Sequence, residues 1–167
     1  MEKKKELLAV RYEVRLPFKQ SAGQYLTKFL LELRDNARII GNKCPECRRI
    51  NLPPNIVCGW CKIRVEDKPE NWVELSDRGT VARFLEITER DTNPLTGELL
   101  GKINPGAQIL LEGTEAERCT PLYHILEETD IKKIYIGMHV QAVWRPQKER
   151  IGNLKDILYF KTVSSDK

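Results

Sequence analysis

Apolar residues recur three and four apart along "SAGQYLTKFLLELRDNARI". Tyr25, Leu26, Phe29, Leu30 and Leu33 fall on one face of a helix, with Lys28, Glu32 and Arg34 opposite. Ser21, followed three residues later by Gln24, has the form of a capping box at its start. Such a stripe serves equally to cover a core or to dock on a partner. From Trp72 onward the period shortens. "GTVARFLEIT" (79–88), "AQILLEG" (107–113), "TPLYHIL" (120–126), "MHVQAVWRP" (138–146) and "DILYFKTV" (156–163) predict five strands. "EETDIKKIYIG", between the third and fourth, predicts a turn with a short helix or loop. "DTNPLTGELLGKINPG" (91–106), with two Pro and three Gly, predicts a long loop or hairpin excursion. "RYEVRLPF", upstream of the helix, ends in a proline that stops any strand. Five short strands fit a small barrel or sandwich, and the count suits an oligonucleotide/oligosaccharide-binding (OB) barrel. The expected fold is α+β and mostly β: a helical segment over 1–40, a cysteine-bearing ribbon over 41–70, and a five-stranded barrel over 71–167.

The stretch between helix and strands, "KCPECRRINLPPNIVCGWC", holds four of the five cysteines in two C-x-x-C pairs, Cys44/Cys47 and Cys58/Cys61. Each C-x-x-C turn brings two sulfurs close to one cation and leaves backbone N–H groups free to bond the thiolates. Two such knuckles complete a tetrahedral S4 shell, the arrangement of structural zinc. Iron in a rubredoxin-like site shares this geometry. A thioredoxin-type role needs one C-x-x-C opening a helix rather than two facing pairs. A closed S4 shell has no open coordination position, which makes the metal structural. The Leu52-Pro53-Pro54 run stiffens the intervening loop.

Charge narrows the field. With 28 basic against 24 acidic residues the chain is less lopsided than a dedicated nucleic-acid neutraliser. No run of about 18 apolar residues predicts a membrane span. "MEKKKELLAV" has too short an apolar stretch for a signal peptide, so a cytoplasmic protein is expected. Four thiolates on one Zn²⁺ leave a net −2 that Lys43, Arg48, Arg49 and Lys62 can offset; alternatively some of these cations face outward toward an anionic ligand. His124 and His139 lie within strand-like runs, and Cys119 is a lone thiol. With no Gly-rich phosphate loop, nucleophile elbow or H-E-x-x-H helix, the chain is expected not to be an enzyme. An OB reader of single strands would stack bases on aromatics of its central strands. The second and third strands offer Tyr123 alone, which leaves single-stranded nucleic-acid binding as the alternative function.

The order of these pieces resembles the DUF35 family, two-domain proteins with a rubredoxin-like zinc ribbon followed by an OB barrel. The helix, the first C-x-x-C, "PP" before the second C-x-x-C, "NWVELSDRGTV" and late "YIGMHVQAVW" arrive in the family's order, from about Tyr12 to Phe160. The segments 91–106 and 113–119 are less typical of it. The resemblance implies a non-catalytic acyl-CoA-binding accessory or scaffold protein that docks on a thiolase or a hydroxymethylglutaryl-CoA synthase. CoA presents phosphates that need cations, an adenine that accepts stacking, and a thin pantetheine arm that needs a groove. By residue type, Lys43, Arg48, Arg49, Trp60, Lys62, Arg64 and Trp72 are the candidate CoA-binding rim.

Overall fold

A computed structural model of the chain describes residues 20–85, 104–114 and 119–164. The expectations for "RYEVRLPF", for the strand beyond Leu85, for 91–103 and for 115–118 lie outside these residues.

Helix α1 runs Gly23–Asn36 and buries Tyr25, Phe29 and Leu33. Its stripe therefore covers a core. The expected capping box does not form. The helix begins two residues later than Ser21; the Ser21 Oγ accepts from the Gly23 N–H at 3.2 Å, and the Gln24 side chain donates to Asp67 instead. Ala37 turns left-handed at φ 51°, and the Arg38 N–H returns to the Glu32 carbonyl at 3.2 Å. That turn ends the helix before Ile39, which the apolar pattern alone would have added to it.

Ile39–Lys43 is instead strand β1, with Ile39 to Asn42 all buried. It is the centre of a three-stranded antiparallel sheet in the order β2-β1-β3, flanked by β2 (Ile50–Asn51) and β3 (Trp72–Leu75). Gly41 is needed here, since a Cβ would lie 2.7 Å from Ile50 Cγ2 and 3.1 Å from the Asn51 carbonyl oxygen. The run that starts at Trp72 thus pairs first with the ribbon, Asn42 opposite Trp72 and Ile39 opposite Leu75.

The five predicted strands form the second sheet: β4 (Arg78–Leu85), β5 (Gly106–Leu111), β6 (Leu122–Ile125), β7 (His139–Trp144) and β8 (Ile157–Thr162). Neighbours are antiparallel in the order β6-β5-β4-β7-β8. A parallel bridge from Leu126 to Phe160, with the Glu127 N–H on the Phe160 carbonyl at 2.9 Å, closes β6 onto β8. This is the OB barrel. A bulge between Val81 and Arg83 re-aims β4. A short 3-10 turn, Ile131–Lys133, capped by Asp130, fills the β6–β7 connection as expected.

One apolar core runs through both sheets. Phe29 and Leu33 of α1, Ile39 and Leu75 of the ribbon, and Val81, Ile109, Val140 and Phe160 of the barrel belong to it. Each large side chain so buried contributes about 1.5–3 kcal/mol. The β7–β8 loop ties α1 to the barrel. Arg150 Nε donates to the Arg145 carbonyl at 2.7 Å and Nη1 to the Arg34 carbonyl at 3.4 Å. Asp156, fully buried, shapes that loop by accepting from the N–H groups of Ile151, Gly152 and Asn153 at 3.0, 2.8 and 3.1 Å. No helix of the described residues is long and apolar enough to cross a membrane.

Candidate metal centre and its basic rim

The two knuckles are the same turn used twice. In the first, the Cys44 N–H donates to the Arg49 carbonyl at 2.8 Å and the Arg48 N–H to the Cys44 carbonyl at 2.9 Å. In the second, Cys58 donates to Ile63 at 2.8 Å and Lys62 to Cys58 at 3.1 Å. The residue after each second cysteine must turn left-handed, and Arg48 (φ 57°) and Lys62 (φ 62°) do so without being glycine. The turns face each other. Cys44 and Cys61 sulfurs lie 3.5 Å apart and Cys47 and Cys58 sulfurs 3.6 Å apart, and all four fall within 4.8 Å of one another. A tetrahedral shell with metal–sulfur bonds of about 2.3 Å has sulfurs about 3.8 Å apart. The four cysteines can therefore hold a metal ion, and none of them is in a disulfide.

Electrostatics of the cluster favour thiolate at one position first. Burial raises the Cys58 thiol, but the N–H groups of Cys61 and Trp60 and the Cys47 thiol outweigh it and bring it down to about 7. Cys47, raised chiefly by burial and by its thiol neighbours, is pushed up to about 12. N–H donors aimed at sulfur are what a metal thiolate shell uses to spread its charge.

Two buried asparagines, which carried no signal in the sequence pattern, hold the ribbon around the cluster. Asn42 donates to the Asn55 carbonyl at 2.7 Å and accepts from the Asn55 N–H at 3.1 Å, fixing the loop between knuckles. Asn51 donates to the Asn42 carbonyl at 3.3 Å and accepts from the Gly59 N–H at 3.3 Å, placing the second knuckle. The Leu52–Pro53 peptide is cis. Only their place on β1 and β2, in a pairing that no local pattern announces, distinguishes these asparagines from turn residues.

The predicted rim divides. Arg49 lies over the Trp60 ring, 3.8 Å from its centroid, and Trp60 keeps 62% of its surface exposed. Lys43, Arg48 and Arg64 are exposed on the same ribbon. Lys62 bends back to the Gly59 carbonyl at 2.6 Å. Trp72 is placed elsewhere, stacked on Tyr25 with ring centroids 5.7 Å apart, with Lys28 4.0 Å from its ring centre. Its ring N–H donates to Asp67 at 2.6 Å; Asp67 also accepts from Gln24 at 2.6 Å and Lys28 at 3.3 Å. The Trp72 hydrogen bond, ahead of those from Lys28 and Gln24, holds the Asp67 carboxyl below the usual carboxylate range. This junction locks α1 to the chain leaving the ribbon.

Neither a protein-family profile nor a curated protein matches the sequence. Solved structures do. One, named Ltp2-ChsH2(DUF35) aldolase, is 21% identical over 86% of this chain and 98% of that one, with a TM-score of 0.51. Another, a protein of unknown function from the DUF35 family of Sulfolobus solfataricus, is 20% identical over 81% of each chain, also at 0.51. The chain has the DUF35 fold, as the order of its motifs implied. The first of these corrects one expectation. The chain was expected not to be an enzyme because it carries no catalytic motif, yet a structure of this fold is named an aldolase. A reaction centre completed between two chains need leave no complete motif in either, so the missing motif was a poor guide.

Proposed function

Taking the DUF35 fold as the starting point, we propose that this protein is the CoA-recognising component of a cytoplasmic acyl-CoA enzyme assembly. It docks on a thiolase- or hydroxymethylglutaryl-CoA-synthase-type partner and holds zinc as a structural ion in the Cys44, Cys47, Cys58, Cys61 shell. The observation that carries this reading is the Arg49–Trp60 stack beside the cysteine cluster. It offers a fixed cation and an exposed aromatic surface together, on a ribbon that also exposes Lys43, Arg48, Lys62 and Arg64. CoA needs such a pairing: phosphates for the cations, adenine for the ring. A 520 Å³ groove between the start of α1 and Pro53–Asn55, lined by Tyr25, Leu26 and Ile56, gives the ribbon an apolar surface on which a pantetheine arm could lie. Trp72 acts from behind, through Tyr25 and Asp67. The name that joins a DUF35 component to a second one under an aldolase activity supports a partner-dependent role.

Calorimetric titration of the metal-loaded chain with acetyl-CoA, and separately with an oligonucleotide at several salt concentrations, tests the reading. Saturable CoA binding that Trp60→Ala weakens about tenfold is expected, the loss of one aromatic stack. No CoA binding together with a steeply salt-dependent oligonucleotide affinity would favour the nucleic-acid alternative. Purification from the native cell should bring down an acyl-CoA enzyme; recovery without one sinks the docking part. One equivalent of colourless zinc is expected, and a coloured iron protein would reassign the metal.

A further inference from the structure

We propose that the seam of the barrel binds a small amphipathic anion, an apolar or aromatic body bearing one carboxylate, sulfonate or phosphate. The site is on the barrel and does not rest on the ribbon reading above. β6 and β8 meet around Phe160, through the Leu126–Phe160 bridge and the His124–Phe160 ring contact at 5.7 Å, and between β6 and the start of β8 lies a cavity of 380 Å³. That is within the range of small-molecule sites. Ile125, Leu154 and Leu158 give it apolar walls. Tyr123 forms another wall, half-exposed, its ring seated over Gly106 where any Cβ would strike it.

Two cations share the cavity. Arg145 is held in place, its Nε 3.4 Å from the Lys155 carbonyl and its Nη1 3.6 Å from Glu149, while a third of the side chain stays exposed. Lys155 has no carboxylate partner among the described residues. The acid next to it, Asp156, is buried and spends its oxygens on the backbone N–H groups of 151–153. His124 meets the Leu154 carbonyl at 3.3 Å and the Ile125 carbonyl at 3.5 Å, which adds a polar floor; burial pushes its pKa down. An apolar cavity with Lys155 unpaired at its mouth, beside an Arg145 that shares its charge with Glu149, complements a ligand that is apolar with one acidic end. An oligonucleotide would need a row of stacking rings, and Tyr123 is the one phenol, tryptophan or phenylalanine ring among the described residues lining the cavity.

The test titrates the metal-loaded full chain with 1-anilinonaphthalene-8-sulfonate, followed by fluorescence and by amide chemical shifts. One saturable site is expected, with shifts confined to residues 123–125, 145 and 154–158. Lys155→Glu should weaken it about tenfold, the equivalent of one charge-assisted contact. The uncharged parent, 1-anilinonaphthalene, should lose a similar factor. Tyr123→Ala should weaken the dye while the chain stays folded, since only half of the side chain is buried. Trp60→Ala should leave the dye affinity unchanged, which keeps this outcome separate from the CoA result. Undiminished binding by Lys155→Glu, shifts centred on the ribbon or spread over the whole chain, or displacement of the dye by a short oligonucleotide would each overturn the proposal.

Discussion

Replacing Cys58 by Ser removes one of four metal ligands, and the structure says how far the damage travels. The tip of the ribbon, from Cys44 to Val65, has its own small cluster in which Cys44, Cys58 and Val65 are the buried members. Ordering roughly twenty residues costs about 1 kcal/mol each, or roughly 20 kcal/mol. Burial of Val65, about 1.5–3 kcal/mol, and the tip's hydrogen bonds, about 1 kcal/mol each, offset roughly half. A structural metal adds about 10–16 kcal/mol, enough to close the gap. Without it the tip has no means to stay ordered. The rest does, because Ile39, Ile40, Leu52 and Leu75 belong to the core shared with α1 and the barrel. Cys58→Ser should therefore melt the two knuckles, 44–49 and 55–65, and leave Ile50–Leu52 held on β1 and the shared core. Hydrogen exchange by NMR should show those amides unprotected, with Val140 and Phe160 still slow, and metal analysis should fall from about one equivalent toward none. Protection at Cys44, Cys58 and Val65 in a metal-free variant would refute the reasoning, and so would parallel loss of protection in the barrel.

Other outcomes follow from single residues. Asp156→Asn turns one acceptor oxygen into a donor facing backbone N–H groups, and should cost about 2–4 kcal/mol in urea unfolding. Burial raises the Asp156 carboxyl, but the N–H groups of Ile151, Asn153 and Gly152, with the Arg145 charge, outweigh it and set its folded pKa below the ordinary value. Its contribution is thus complete above the unfolded pKa, near 4, and is lost as pH falls through the lower folded value. The Asn variant should lack that acid-side slope, and an unchanged slope would contradict the assignment. Ala37→Gly relieves a left-handed alanine and should stabilise the chain by about 0.5–1 kcal/mol by the same measurement, with destabilisation counting against strain at that turn.

The barrel was legible because its strands carry β-branched and aromatic residues between turn signals, and all five fall where the pattern put them as far as the described residues reach. The cysteine spacing announced the S4 cluster as directly, since C-x-x-C geometry is local. The ribbon sheet was not legible. Ile39 to Asn42 is buried at four successive positions, so it shows no alternation and reads as the tail of the helix stripe. The helix stop that would have separated them is an alanine at φ 51°, where a glycine would have been a signal. Trp72 was assigned to the rim by its nearness in sequence to the cysteines. Its position under α1 follows from the pairing of β1 with β3, across a separation that no local pattern encodes. Ser21 and Gln24 had the letters of a capping box, but Asp67, 43 residues away from Gln24, competed for the amide and won.

The contact between Arg150 and the Arg34 carbonyl spans 116 residues, and it sets a schedule for synthesis. At about 5–20 residues per second, α1 emerges many seconds before the loop it docks on. During that interval β1 and β3 can shelter part of the Tyr25, Phe29 and Leu33 stripe, but its barrel side stays open. A nascent chain in this state presents an amphipathic helix covered on one side alone, the kind of segment that ribosome-associated chaperones hold. The order of the chain makes the first described helix wait for the last turn.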